Sequence, residues 1–161
     1  MLSKGLMKSL LAASPNPFDI RAALLARHAQ HPVIIHFPIA LFIASVVFEV
    51  VAIWRKQPGF ASVAYYNLVG AAMTLPFAIA TGLGAWQWQL EGAALKGTLR
   101  LHLICALTSA SLILFLCWMR LRLRTKGDSP RAAYFALTAL AVMAITVTGH
   151  LGGILSGVET P

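Results

Sequence analysis

Four long apolar stretches follow the first 30 residues of the chain: residues 33–54, 61–86, 99–119 and 131–155. Each is long enough to cross a membrane, because a hydrocarbon core of about 30 Å takes roughly 20 apolar residues in a helix. Backbone groups in lipid must be hydrogen-bonded within their own segment, which favours helices. The short connections predict antiparallel neighbours. We therefore expect an all-α integral membrane four-helix bundle that runs up-down-up-down.

Residues 1–30 show a different pattern and are predicted to form a segment separate from the four-helix domain, residues 31–161. Three apolar residues there share one face of a predicted helix: Ile20, Leu24 and Leu25. This pattern is typical of a short interfacial helix that lies on the membrane surface. A mobile tail is the alternative.

The composition changes the range of function classes that need to be considered. Of 161 residues, 58% are hydrophobic and only 11% are charged, against about 25% charged residues in soluble domains. A soluble globular protein and a disordered chain are therefore excluded. The net charge of +8 does not indicate a nucleic-acid partner, because the basic residues flank the apolar stretches. That position is typical of orientation in an anionic bilayer, which is the first predicted partner.

The densest basic cluster follows the third stretch and consists of Arg120, Arg122, Arg124 and Lys126. Basic residues close to helix ends favour the cytoplasmic side, so we expect both termini outside. Glu49 is near the same end of the bundle. We expect it to pair with Arg120 or Arg131 or to reach the interface, the alternative being a role in proton transfer or quinone contact.

Three histidines are predicted at one depth in the membrane. His36 and His102 are near the starts of the first and third stretches, and His150 is near the end of the fourth. In an antiparallel bundle these positions lie at one membrane face. Imidazoles that converge in a bundle core can ligate haem iron, copper or zinc. The pattern thus predicts a metal or haem site.

Small residues at the same depth, Gly82 and Gly149 among them, leave room for a porphyrin, although close helix packing explains them equally well. Basic residues near this face are candidates to pair with haem propionates or to anchor the helices: Arg100, Arg27 and Lys96. We expect haem b. A bare metal ion and a purely structural histidine layer are the alternatives.

The positions of the histidines along the chain lead to an assignment of the haem ligands. His36 and His102 belong to helices that are diagonal in a simple bundle, so we expect them as axial ligands of haem iron. His150 is the first substitute. His31 precedes Pro32, and we expect it to cap the helix or to face water.

The run His31-Pro32-Val33-Ile34-Ile35-His36-Phe37-Pro38-Ile39-Ala40-Leu41 resembles the opening signature of a family of small bacterial membrane proteins, a domain of unknown function. Further matches are Thr81-Gly82, His102 and the run Gly149-His150-Leu151-Gly152-Gly153. The resemblance covers about residues 31–157. Members resemble four-helix membrane cytochrome modules, and some are fused to c-type cytochrome domains. The resemblance implies a bacterial inner membrane and a role in electron transfer.

The expected function is that of a b-type haem electron-transfer subunit, or an anchor of a larger redox complex. We assign no catalytic residue, because the chain lacks a Gly-rich phosphate loop and paired carboxylates. The expected partner is a redox protein or c-type cytochrome on the outer face, with a quinone as a further candidate. A non-haem assembly subunit and a metal-handling membrane protein remain alternatives. We detect no internal repeat, and the two halves show no clear symmetry.

Overall fold

The computed structural model describes residues 27–128, 130 and 132–157. It has four helices: α1 Arg27–Arg55, α2 Pro58–Gln89, α3 Gly97–Lys126 and α4 Ala132–Leu155. Each is long and apolar enough to cross a membrane, and the described residues contain no strand. This confirms the prediction of an all-α, four-span bundle. The candidate interfacial helix, with Ile20, Leu24 and Leu25, lies outside the described residues.

The helices extend beyond the apolar stretches. α1 begins at Arg27 and therefore includes His31, while α3 continues through its basic cluster to Lys126. Hydropathy indicates which part of a helix lies in lipid, whereas basic residues also have good helix propensity. The observed helix ends coincide with residues that favour helix termini. α2 begins with Pro58 in its first turn, and α3 ends at Gly127, whose φ of 70° is left-handed.

The helices pack as two hairpins. α1 lies along α2, α3 lies along α4, and α2 contacts α3, whereas α1 and α4 touch at only a few points. The interior contains many small side chains, with Phe42, Leu68 and Leu116 as its largest fully buried members. Large apolar side chains such as Phe37 and Met73 are exposed on the surface of the bundle. This distribution suits a protein surrounded by lipid, in which small residues allow helices to approach closely.

The two hairpins share one pattern of burial. In α1 and α3 the buried positions match at a spacing of 71 residues: Pro38 with Ser109, Phe42 with Ile113, Ser45 with Leu116, and Glu49 with Arg120. In α2 and α4 buried positions match at 70: Ala64 with Tyr134, Ala71 with Ala141, and Leu75 with Ile145. The two hairpins thus repeat part of their burial pattern, with chemically different residues at the equivalent positions.

A buried ion pair joins the two hairpins. Nη2 of Arg120 in α3 lies 3.1 Å from Oε1 of Glu49 in α1, and both residues are less than a tenth exposed. The pairing of Glu49 with Arg120 confirms the first of the expected partners. A charge left alone in lipid is costly, so this pair holds α1 and α3 in one register. A cavity of about 30 Å³ beside Glu49, lined also by Ser45 and Thr138, has room for about one water molecule.

We predict that Glu49→Gln lowers the free energy of unfolding by about 3–5 kcal/mol, because it leaves the Arg120 guanidinium buried and unpaired. The exchange Glu49→Arg with Arg120→Glu should recover more than half of that loss, since the two positions are equivalent in the repeat. The measurement is unfolding in detergent–lipid bicelles.

Glu91→Gln is the matched control, because Glu91 is exposed in the connection between α2 and α3. Its effect should stay within about 0.5 kcal/mol. Equal stability of Glu49→Gln and Glu91→Gln would show that the ion pair does not hold the hairpins together.

Candidate cofactor-binding site

His102 lies in α3 and is half-buried against α4. Its Nδ1 is 3.1 Å from the carbonyl oxygen of Thr148. A carbonyl oxygen only accepts, so Nδ1 carries the proton and donates it. Gly152 packs against the ring, because a Cβ built there would lie 3.2 Å from Cε1 of His102. The ring is thus held on one edge by α4, and Nε2 of the neutral imidazole keeps its lone pair.

His31 has the equivalent environment in the first hairpin. It is half-buried in α1, and its Nδ1 lies 3.1 Å from Oγ1 of Thr81 in α2. The Thr81 hydroxyl also lies 2.9 Å from the carbonyl oxygen of Phe77 and 3.1 Å from that of Ala78, both in its own helix. A Cβ at Gly82 would lie 3.0 Å from Cε1 of this ring. The expectation that His31 caps the helix or faces water is therefore wrong.

His31 and His102 lie at the same end of the bundle, each 18 residues before its member of the Glu49–Arg120 pair. They are 71 positions apart, as are Glu49 and Arg120, and therefore occupy equivalent places in the two hairpins. Each ring has a hydroxyl or carbonyl acceptor on Nδ1 and a glycine against Cε1, both from the neighbouring helix. Each hairpin thus holds one half-buried imidazole against its neighbouring helix.

The structure places the other expected ligands elsewhere. His36 is exposed on α1, and its Nδ1 contacts the carbonyl oxygen of Pro32 in the same helix. His150 is exposed on α4. The structure brings neither of these two imidazoles to the His31–His102 pair, so the predicted layer of three histidines shares a membrane face but not one site.

The structure places the remaining predicted site residues in different environments. Gly82 packs against a histidine ring, as described, whereas a Cβ at Gly149 would meet nothing within 4 Å. Gly152, rather than Gly149, is the glycine of α4 that packs against the ring of His102. Arg100 is exposed in the first turns of α3, and Lys96 is exposed at the N-cap of that helix. The side chain of Arg27 lies outside the described residues.

The spacing between His31 and Glu49 already indicates that His31 faces the interior of the bundle. His31 precedes Glu49 by 18 residues, which is about five helical turns, so the two share one face of α1. Glu49 must face the interior, and a residue on its face does so too. His36 precedes Glu49 by 13 residues and points to a different side. The same 18 residues separate His102 from Arg120.

The fold and the site define a four-span membrane protein with a histidine pair inside the bundle. The chain belongs to the family described as predicted membrane protein (DUF2231), which it matches over residues 27–159. This confirms the resemblance to a membrane family of unknown function. No curated protein matches the chain. No solved structure matches it either.

We predict that Gly82→Val is less stable than Gly149→Val by about 1–3 kcal/mol, because only position 82 has a histidine ring at contact distance. Both variants carry the same change in helix propensity, so the difference isolates the contact with His31. The measurement is unfolding of each variant in bicelles. Equal stabilities would contradict the packing of His31 against Gly82.

Proposed function

We propose that the chain is a b-type haem electron-transfer subunit, or an anchor of a larger redox complex, in a bacterial inner membrane. In this proposal His31 and His102 would hold the haem iron. One observation carries it: α1 and α3 each hold a half-buried imidazole at the same end of the bundle, and Nδ1 of each lies 3.1 Å from an oxygen of the neighbouring helix. Metal-ligating histidines usually have this second hydrogen bond, which sets the tautomer and orients the ring.

The donor set favours haem over a bare metal ion. Among the described residues, no group of three or more His, Cys, Asp or Glu side chains could hold a metal ion. A zinc site takes three or four protein ligands, whereas a porphyrin supplies four nitrogens and asks only two axial ligands of the protein. The repeat of the two hairpins also suits a ligand that meets the same environment on both of its faces.

The chain's own groups have separate tasks in this site. Thr81 and the Thr148 carbonyl orient the two rings, and hydrogen bonds on Nδ1 make Nε2 a stronger donor. Ser109 lies 3.3 Å from the Thr148 hydroxyl and supports that segment of α4. Haem held there supplies a reversible one-electron couple. Arg100, at the same membrane face, is the proposed propionate partner.

The assignment from sequence, His36 with His102 and His150 as a substitute, stays a competing prediction. His36 and His150 are exposed, so they require a rotation of α1 or α4 to ligate a group inside the bundle. Single alanine variants distinguish the two assignments.

We predict that His31→Ala and His102→Ala each abolish the low-spin bis-imidazole spectrum of the purified full-length protein. His36→Ala and His150→Ala should retain it, because their imidazoles lie outside the pair. The measurement is the visible spectrum of the oxidised and reduced protein, with haem content determined separately.

Loss of the low-spin spectrum in His36→Ala, with its retention in His31→Ala, would establish the other ligand pair. Colourless wild-type protein that binds a transition metal would favour the metal-handling function. Protein with neither haem nor metal would leave the histidine pair as part of a structural or assembly subunit, and the haem proposal would fall.

The histidine end of the bundle is proposed to face outward and the basic end of α3 the cytoplasm. Arg55, Lys56 and the residues around Arg122 are at the basic end, in agreement with the positive-inside rule. A redox protein, such as a c-type cytochrome, then meets the site from outside. A quinone is a further proposed partner.

We predict that a cysteine placed at Thr125, exposed in the last turn of α3, is labelled only from the cytoplasm. A cysteine at the exposed Leu95, in the α2–α3 connection, should be labelled from outside. Both are introduced after replacement of Cys105 and Cys117 by serine, and a membrane-impermeant maleimide is applied to intact cells and to inverted vesicles. The reverse pattern would invert the assigned orientation.

A further inference from the structure

The end of the bundle opposite the histidine pair has a second polar feature. A cavity of about 330 Å³ lies between the last turns of α3 and the first turn of α4. Charged side chains line it together with aromatic and aliphatic ones: Trp118, Met119, Arg122, Leu123, Lys126, Asp128, Ala133 and Tyr134. Its volume suits a small polar group rather than a single water molecule.

The charges at this cavity favour an anion. Among the described residues that line it, Arg122 and Lys126 contribute two positive charges and Asp128 one negative charge, a net charge of +1. The Arg122 guanidinium is held beside the cavity, 5.5 Å above the ring centre of Trp118. Ala133 is in the first turn of α4, where backbone N–H groups have no partner within the helix and attract anions.

The cavity continues into a surface that suits acyl chains. Trp118 is 51% exposed, and its ring stacks on Phe115, 46% exposed, with the ring centres 5.6 Å apart. Phe115 lies one turn further into the apolar part of α3, and Leu114 beside it is also exposed. Tryptophan is typical of the level of lipid headgroups. The occupant should therefore have an anionic head and an apolar tail.

We propose that this cavity binds the headgroup of an anionic phospholipid with a hydroxylated headgroup, of the phosphatidylglycerol type. Arg122 and Lys126 contact the phosphate, whose single negative charge the net charge of the cavity balances. Asp128 accepts a hydrogen bond from a headgroup hydroxyl. The acyl chains lie along Trp118 and Phe115. This site is independent of the proposed haem.

The chain offers a matched control at the same membrane face. Arg55 lies 4.6 Å above the ring centre of Trp54 and precedes Lys56, so it repeats the combination of tryptophan, arginine and lysine. Neither Arg55 nor Lys56 lines the cavity. Comparison of the two pairs separates a specific site from a general attraction of basic residues to anionic lipid.

The experiment is native mass spectrometry of the full chain released from nanodiscs of phosphatidylcholine that contain phosphatidylglycerol. We expect one phosphatidylglycerol to be retained, with at least about 10-fold preference over phosphatidylcholine. Both lipids have a phosphate, but only phosphatidylglycerol has a net negative charge, which strengthens the charge-assisted hydrogen bonds to that phosphate. Arg122→Gln with Lys126→Gln should lower its retention at least about 10-fold. Arg55→Gln with Lys56→Gln should change it less than about twofold.

Equal losses in both double variants would overturn the site, as would equal retention of phosphatidylglycerol and phosphatidylcholine. Phosphatidylethanolamine retained as strongly would show that net headgroup charge is not recognised. Displacement of the lipid by millimolar glycerol phosphate would indicate a site for a soluble phosphate. Lys126→Gln alone, at the end of α3, gives the same comparison if the double variant fails to fold.

Discussion

A carboxylate and a guanidinium buried within the membrane-spanning helices constrain the whole bundle. Glu49 and Arg120 are 3.1 Å apart and almost fully buried, and neither is tolerable in lipid without the other. Because they come from α1 and α3, their pairing joins two hairpins that otherwise meet mainly where α2 contacts α3. Apolar burial cannot supply this specificity, since lipid is as apolar as the helix surfaces.

The ion pair fixes the register of α1 relative to α3, and this register also determines the relative positions of the histidines at the other end of the two helices. His31 and His102 each precede their charged residue by 18 residues, or about 27 Å of helix, and so arrive at one level and on one face. The repeated pattern of burial carries that alignment through four buried positions of each helix. A polar contact at one membrane face thus positions a candidate ligand pair at the other.

The neighbouring helix in each hairpin supplies the groups that contact each imidazole. α2 provides Thr81 and Gly82 to His31, while α4 provides the Thr148 carbonyl and Gly152 to His102. The oxygen at Nδ1 belongs to a side-chain hydroxyl in the first hairpin and to a backbone carbonyl in the second. The two hairpins therefore hold their imidazoles in similar geometry with chemically different groups.

The sequence by itself determined the number of spans, the all-helical fold, the membrane environment and the family, because hydropathy and length follow directly from composition along the chain. It also indicated the pairing of Glu49 with Arg120. Only the tertiary structure showed that His31 packs against α2 while His36 is exposed, and that Gly152 rather than Gly149 contacts the ring of His102. Those choices depend on the rotation of each helix about its axis, which apolar stretches surrounded by lipid leave open and which packing against a neighbouring helix sets.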